Sequence, residues 1–330
     1  MGKLLITGAM GHVGYETARQ AASRGIPVVA QYMSTFREAD AEALGSDVTW
    51  AQCDLADPFA LTMLAAEHDI EGCIHTAAVP NDVLAIPQPL KAFQSNVVAT
   101  GLMLETARRL NWRRFVFVST GSVFQSLPDA ITPVAEPTVP TPKSLYAVSK
   151  RSSEMMVGVY ASTYALSAAT VRISWIYGPP LVPRAYDGPR GPIPDFLRRA
   201  LSGEAIRDPS GGDFAASFTF VPDCAAGLLA MWTAEKLAFD TYHLGSGRNY
   251  TTFDVAEAVR RAVPDATIEV GPGTVPWTDT TVMRGPLGCT RMAEDFGFRP
   301  AHDLDAGVAA FADWMRANPQ RWSGGRTDGK

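Results

Sequence analysis

Short β-rich runs alternate with amphipathic helical stretches through the first half of this chain, and no other feature of its 330 residues constrains the fold as tightly. Strand-like runs fall at 3–7, 27–32, 48–53, 72–76, 114–119 and 168–173. Between them, apolar residues recur at close to helical spacing over 13–24, 58–68, 92–110 and 145–164. Strands joined in this way by helices are parallel, and their crossovers are right-handed. The expected fold is therefore α/β, an open doubly wound parallel sheet that binds ligands beyond the carboxyl ends of its strands. Functional side chains should lie in the loops that follow those strands.

The pattern breaks after Tyr177. The segment GPPLVPRAYDGPRGPIP at 178–194 is too rich in Pro and Gly for a continuous helix or a central strand, and reads as an irregular lobe or lid. Helical patterns return at 195–201, after Asp223, at 252–262 and at 306–318, with a strand-like FTFV ahead of the second. The chain thus divides into a first domain over 1–175, a second and smaller lobe over 176–322, and a flexible tail over 323–330. Parts of the lobe, such as 217–245, are expected to return to the first domain.

Charge and composition remove several function classes. Twenty-nine Lys and Arg against 34 Asp and Glu leave a formal net charge of −5, and no basic stripe offers the footprint of a nucleic-acid binder. With 46% hydrophobic and 19% charged residues the chain is expected to be soluble and globular. No apolar run approaches the roughly 20 residues that span a bilayer, so a membrane is not an expected partner. The N-terminal MGKLLITGAMG enters a strand-like run directly, without the apolar core and cleavage site of an export signal. Cys53, Cys73, Cys224 and Cys289 form neither CxxC pairs nor His/Cys clusters, so neither a metal site nor a disulfide framework is expected. A reducing cytoplasm suits them, each as a small buried apolar residue.

Gly8, Gly11 and Gly14 follow the first strand-like run and open the first helix. Glycines there permit a tight turn and close approach of backbone N–H groups to a pyrophosphate, and the helix N-terminus adds a favourable dipole. In such a site the end of the second strand chooses between the two nicotinamide cofactors, because an acid there binds a ribose 2′-hydroxyl and repels a 2′-phosphate. Here the residues are Gln31, Tyr32, Met33 and Ser34, with Arg37 as the nearest cation, which leaves NAD and NADP both open. Asp54 suits either the adenine amino group or a helix cap ahead of Pro58. Ala77 and Ala78, after Thr76, are small enough for a cofactor to lie against the backbone.

Tyr146 and Lys150 stand four apart in a helical pattern, so both project from one face about a turn apart. Upstream, the buried run FVFVST ends in hydroxyls at the carboxyl end of a strand, where this kind of sheet binds ligands. Oxidation of a secondary alcohol needs a base for the hydroxyl proton while a hydride moves to nicotinamide, and a free tyrosine is a poor base at neutral pH. A neighbouring ammonium favours the phenolate. Tyr146 is therefore the expected proton acceptor, with Lys150 lowering its pKa and holding the nicotinamide ribose. Thr120 is expected to hydrogen-bond the reacting oxygen.

With these motifs in order the sequence resembles the extended short-chain dehydrogenases/reductases, also called the NAD-dependent epimerase/dehydratase family. The resemblance rests on LLITGAMGHVG, the CDL containing Asp54, IHTAA, SNVVATG with Asn96, FVSTGSVF, YAVSK, VRISWIYGP, FTFVPDCAAGLL and FGFRP, from about Leu4 to Trp314. It implies a Rossmann-type cofactor domain with a smaller C-terminal substrate lobe, and bound NAD or NADP, NAD being favoured on family grounds. It also implies a homodimer built from the helices that carry Asn96 and Tyr146. His12, Val13, Tyr32, Leu55 and Asn96 join the cofactor-binding set on the same ground, and Thr120 falls at the family's catalytic Ser/Thr position. Asn96 suits either a tie to the active-site backbone or a helix cap.

Departures from the family pattern bear on the substrate. Family 4,6-dehydratases place an acidic pair just after that hydroxyl, whereas Gly121 and Ser122 follow Thr120, which disfavours dehydration. Nucleotide-sugar members resemble one another in an Asn after the sixth strand and an Arg ahead of the FTFV-like strand, both serving a diphosphate; Trp175 and Ala216 stand there instead. Arg284 matches another anion-binding position. Ser122, Trp175, Arg184 and Arg284 are the candidate substrate contacts, although Arg184, like Arg190, also has the plainer reading of a solvated loop. The expected function is an NAD(P)-dependent dehydrogenase or epimerase of carbohydrate metabolism, acting on a secondary alcohol of a sugar, sugar acid or similar small polar molecule. The alternatives are a nucleotide-sugar 4-epimerase and, in another class, a nicotinamide-binding sensor that does no redox chemistry.

Overall fold

The computed structural model describes residues 2–127, 129–180, 191–278 and 280–322. The chain begins β1 (Lys3–Thr7), α1 (His12–Ser23), β2 (Val28–Tyr32), α2 (Glu38–Ala43), β3 (Val48–Gln52), α3 (Pro58–Glu67) and β4 (Ile70–His75). Two short helices, α4 (Asp82–Ala85) and α5 (Pro89–Phe93), lead through a π-helical turn at Gln94–Val98 into α6 (Ala99–Arg109). Then come β5 (Arg114–Thr120), a 3₁₀ turn at Gly121–Phe124, α7 (Leu145–Tyr164) and β6 (Ala168–Ile173). Next are β7 (Trp175–Tyr177), α8 (Pro192–Leu201), β8 (Ile206–Asp208), β9 (Ala215–Ala216), β10 (Phe218–Phe220) and α9 (Val221–Thr233). The last described elements are β11 (Thr241–Leu244), β12 (Tyr250–Thr251), α10 (Thr252–Ala262), β13 (Ile268–Val270), α11 (Thr290–Phe296) and α12 (Leu304–Ala317).

Seven strands form one sheet in the order β11-β6-β5-β4-β1-β2-β3, every neighbouring pair parallel. The chain leaves β1 toward β2 and β3, then returns to the other side of β1 at β4. That reversal opens a crevice above the carboxyl ends of β1 and β4, where doubly wound sheets hold ligands. All seven residues of β5 are buried, as a central strand covered on both faces requires. One face packs Ile6, Val116, Leu228 and Trp232; the other packs Leu5, Val29, Cys73, Met103, Phe115 and Phe117. Each such side chain contributes about 1.5–3 kcal/mol by its burial.

After Tyr177 the chain builds a second core of Ile193, Phe196, Phe218, Val255, Val259, Phe311 and Met315. Three two-stranded ladders, β7–β10, β8–β13 and β9–β12, accompany it. In the middle of this stretch the chain returns to the large sheet: β11 pairs with β6, and α9 lays Trp232 so close to Gly72 that a Cβ there would come within 2.7 Å of the ring. α10 is opened by a reciprocal cap between Thr251 and Asp254, and α12 by Asp303.

The helix expected over 92–110 is there, its backbone helical throughout, but it carries a π turn at Gln94–Val98, and Asn96 sits in that turn. The short α2, α4 and α11 span too few turns to show a helical period in the sequence. Pro192 and Pro194 open α8, where a missing N–H costs nothing; residues 181–190 of the Pro/Gly-rich segment, with Arg184 and Arg190, lie outside the described residues, as does the tail. Cys53, Cys73 and Cys224 are buried and Cys289 partly so, all with free thiols. Among the described residues no helix is long and apolar enough to cross a membrane, and no three His, Cys, Asp or Glu gather as a metal site.

Candidate active site

The glycine turn is shaped by contacts as well as by conformation. Gly8 has φ +62°, and a Cβ there would meet the Cα of Ala77 at 2.8 Å. A Cβ at Gly14 would sit 2.5 Å from the Gly8 carbonyl and 2.7 Å from Thr76 Oγ1. The end of β1 is thereby pressed onto the end of β4, and Thr7 fastens the two: its Oγ1 accepts from the amides of Thr76 and Ala77, both at 3.1 Å. Gly11 differs, since a Cβ there would meet only the Gly8 carbonyl, at 3.0 Å. It is the N-cap of α1, with no side chain capping the helix, so the positive end of the helix dipole faces the crevice. This is a cradle that a Cβ would fill, and it suits the pyrophosphate of a dinucleotide. His12 reaches across the turn, its Nε2 lying 2.8 Å from the Gly178 carbonyl, and Val13 is half-buried against the core.

At the end of β2, Gln31 turns inward: its Oε1 accepts from the Gly8 amide at 2.8 Å and its Nε2 donates to the Cys53 carbonyl at 2.5 Å. Tyr32 stacks on Phe36 with centroids 4.7 Å apart. Arg37 donates to the Met10 carbonyl at 2.6 Å and pairs with buried Asp40, which also pairs with Arg321. Asp54 is no helix cap. Asp57 caps α3, accepting from Phe59 N at 2.8 Å, while Asp54 accepts from Ala56 N at 2.9 Å through one oxygen. Leu55 belongs by its side chain to the core beneath the sheet, which leaves only its backbone to face a ligand. Ala77 and Ala78 are partly open at the crevice.

Thr120 ends β5, and its hydroxyl accepts from the Ser122 amide at 3.1 Å. Half-buried Ser122 lies in the 3₁₀ turn that follows. The start of α7 is held against that turn by Gln125, whose Oε1 accepts from Lys143 N at 3.1 Å and Ser144 N at 3.0 Å. Ser144 caps the helix, and Asp82 accepts from the Tyr146 amide at 3.0 Å. These ties bring the Tyr146 phenol beside Thr120, whose hydroxyl acts on its pKa. Burial pushes the phenol up to about 12; the Thr120 hydrogen bond and the Arg284 charge act downward against it, and the Asp82 carboxylate acts upward.

Lys150, one turn on, is 2% exposed, with Nζ 4.1 Å from the centroid of the Phe117 ring. Burial pulls its ammonium down to about 7, with the Glu154 carboxylate acting the other way. Arg284 is a further cation bearing on the phenol, a role the sequence did not show. Asn96 is not a cap. Its Oδ1 accepts from Val79 N at 2.7 Å and its Nδ2 donates to Ser149 Oγ at 2.9 Å, so it ties the loop after β4 to α7. The π turn supplies the geometry for this, as such bulges often do at functional sites.

Beside Thr120 a small cleft opens between the large sheet and the second core, lined in part by Gly121, Ser174, Trp175, Ala216, Asn249 and Arg284. Trp175 opens β7 and packs against Trp277 at 5.2 Å. Gln125 and Asn249 carried no signal in the sequence, since a lone amide in a loop has no period or spacing. A second fully buried tyrosine, Tyr242, packs in the sheet core and hydrogen-bonds Asp295.

A doubly wound parallel sheet with a glycine turn at its point of reversal defines a class, the dinucleotide-binding α/β enzymes. Residues 4–245 match the family model described as NAD dependent epimerase/dehydratase family. The chain belongs to that family, and is an NAD(P)-dependent enzyme of the epimerase/dehydratase type. It is 27% identical to the dTDP-glucose 4,6-dehydratase of Xanthomonas campestris pv. campestris, over 100% of this chain and 97% of that one. It is 29% identical to a dTDP-glucose 4,6-dehydratase of Streptomyces antibioticus, over 97% of this chain and 94% of that one. Its fold is that of the UDP-glucose 4-epimerase of Thermotoga maritima, solved with UDP-glucose, at a TM-score of 0.84 with 21% identity over 96% and 99% of the two chains. The Thermus thermophilus UDP-glucose 4-epimerase, solved with NAD, superposes at a TM-score of 0.81 with 24% identity over 95% and 99%.

Proposed function

We propose that this chain moves a hydride between a nicotinamide dinucleotide and a secondary alcohol of a sugar, sugar acid or similar polar molecule, with Tyr146 as the acid/base. The observation that carries the reading is that Tyr146, opening α7, stands beside Thr120 at the carboxyl end of β5, above the glycine turn's crevice. The nicotinamide, when bound, takes up or returns the hydride at the reacting carbon. In oxidation the alcohol's C–H and O–H bonds break as its C=O forms, and the hydroxyl proton passes to Tyr146 Oη, which must first have lost its own proton to act as the phenolate. In reduction the same oxygen returns it. Thr120 holds the reacting oxygen by a hydrogen bond, and Lys150 holds the ribose. With its pKa pushed up to about 12 the phenol is neutral at physiological pH, so as it stands it is a proton donor.

The dinucleotide would lie with its pyrophosphate on Gly8, Gly11, His12, Val13 and Gly14, its ribose near Tyr32 and its adenine near Asp54 and the Leu55 backbone. Ala77 and Ala78 would meet it at the end of β4, and Asn96 acts as a positioning residue through Val79 and Ser149. Dehydration, the activity named for the curated relatives, is not proposed. Gly121 and Ser122 follow Thr120, and no carboxylate lines the cleft among the described residues. A nucleotide-sugar 4-epimerase is the second reading, on the likeness to the two UDP-glucose 4-epimerases.

Absorbance at the reduced-nicotinamide band with a panel of sugars, sugar acids and nucleotide sugars separates the cases. Net reduction identifies a dehydrogenase, an isomerised product without net reduction an epimerase, and neither across the panel a sensor. Tyr146→Phe is expected to lower turnover by about 10²- to 10⁴-fold while dinucleotide binding persists. Full activity in that variant would falsify the mechanism. A homodimer through α6 and α7 is proposed as well, since Val98, Val148, Met155 and Val159 are 48%, 37%, 59% and 53% exposed. The cytoplasm is the proposed compartment, on the free thiols of all four cysteines.

A further inference from the structure

Arg284 stands at the junction of the cleft and the acid/base pair. A Cβ on Gly121, the residue after Thr120, would lie 3.5 Å from its Nε, and its charge bears directly on the Tyr146 phenol. Among the described residues it is the only cation lining the cleft, and it forms no ion pair there. The remaining polar lining is neutral: Ser174, Ser217, Asn249 and Thr281. The loop that carries Arg284 is fixed. Val134 N donates to the Pro286 carbonyl and Gly288 N to the Val134 carbonyl, both at 2.8 Å. A Cβ at Gly285 would stand only 2.1 Å from the Thr132 carbonyl. Asn249 Nδ2 donates to the Arg284 carbonyl at 2.8 Å and to the Ala130 carbonyl at 3.1 Å. Those two acceptors settle which end of the amide is nitrogen, and its Oδ1 is a buried acceptor with no donor.

Resting on the reading above that Tyr146 is the acid/base, we infer that the substrate is a small polyhydroxylated monocarboxylate, anchored by its carboxylate on Arg284 within a few bonds of the carbon that reacts. A guanidinium matches a carboxylate in plane and charge. A diphosphate, with two charges, would find one guanidinium in the described lining, and a neutral sugar would leave that cation buried without a partner. Ser174, Ser217 and Thr281 are then the partners of the substrate's other hydroxyls.

The probes are matched pairs, galacturonate against galactose and threonate against threitol, with UDP-glucose and UDP-galactose beside them. In the wild type at least one acid is expected to exceed its neutral partner in kcat/KM by about 10- to 100-fold, chiefly through KM. Arg284→Gln should bring that ratio to within about threefold of unity, and Arg284→Lys, which keeps the charge without the planar fork, should leave it between the two. Calorimetry of the acid with Tyr146→Phe saturated with NAD, with and without Arg284→Gln, should show the same loss in affinity without turnover. Thermal melts establish that the variants fold; if Arg284→Gln does not, Arg284→Lys carries the comparison. The inference is overturned if no acid binds more tightly than its neutral partner, if the preference survives Arg284→Gln, or if a UDP-sugar is the best substrate. Failure of the underlying reading looks different: Tyr146→Phe would turn the acid over as fast as the wild type.

Discussion

Lys150 and the glycines show how far one position can be read through its surroundings. Burial pulls the Lys150 ammonium down to about 7 in the folded chain, against an ordinary lysine value of 10.5 when unfolded. Between those two values the unfolded chain holds more protons, so stability rises with pH there and is lost as pH falls toward 7, by up to about 1.4 kcal/mol per pH unit. Lys150→Met removes this dependence. Urea titrations between pH 7 and 10 should show the variant's stability advantage over wild type shrinking as pH rises; a constant difference would refute the depressed value. Gly11 makes a separate prediction, because its φ of −83° suits any residue and its missing Cβ touches only the Gly8 carbonyl. Gly11→Ala is expected to melt close to wild type yet bind NAD at least about tenfold more weakly in fluorescence titrations. Gly8→Ala, at φ +62° and against Ala77, should lose both stability and binding. All three glycines were legible as a motif, whereas their division into two that shape the turn and one that faces a ligand depends on who their neighbours are.

At the scale of elements, α7 is the part on which the site turns. Its sequence pattern over 145–164 matches the helix observed, and Tyr146 and Lys150 do share a face. Underneath, Glu154 accepts from Ser119 Oγ at 2.6 Å and from two nitrogens of Arg172, each at 2.9 Å, which rivets the helix to β5 and β6. Both charges are buried. Glu154→Leu should therefore cost about 3–5 kcal/mol by leaving Arg172 uncompensated, and adding Arg172→Met should recover most of it. Equilibrium urea unfolding of the three variants decides, and additive losses in the double variant would contradict this account. The helix expected over 92–110 is observed, but a five-residue π turn inside it leaves no signal in the apolar period, and it is there that Asn96 meets Val79 and Ser149.

Across the whole molecule, two cores meet along the cleft, and the chain crosses between them when α9 and β11 return to the large sheet. Two histidines lie inside that architecture without charge: burial pushes His75 and His243 each down to about 3. Their folded values lie below the unfolded one, so their stability is complete above pH 6.5 and is lost as pH falls from there toward 3. Urea midpoints at pH 7, 5.5 and 4.5 should fall for the wild type, and less steeply for His243→Gln; parallel curves would show that this histidine contributes nothing. The exposed apolar stripe on α7 carries a prediction of its own. Met155→Glu should convert a dimer to a monomer in light scattering, and a wild-type monomer at micromolar concentration would remove the proposed interface.

From sequence alone came the alternating elements, the sheet they make and the crevice it must contain. These follow from local periods and from the handedness of crossovers, which are properties of neighbours along the chain. The glycine turn, Thr120, Tyr146 and Lys150 were legible for the same reason: each stands at a fixed offset from a strand end or from another residue on one helix face. Tertiary structure alone decided that Lys150 is buried against Phe117 and that Arg284, 138 positions downstream of Tyr146, bears on its phenol. It also decided that Asp57, not Asp54, caps α3. Charge acts through distance and burial, and both are set by packing between segments that no spacing in the chain brings together.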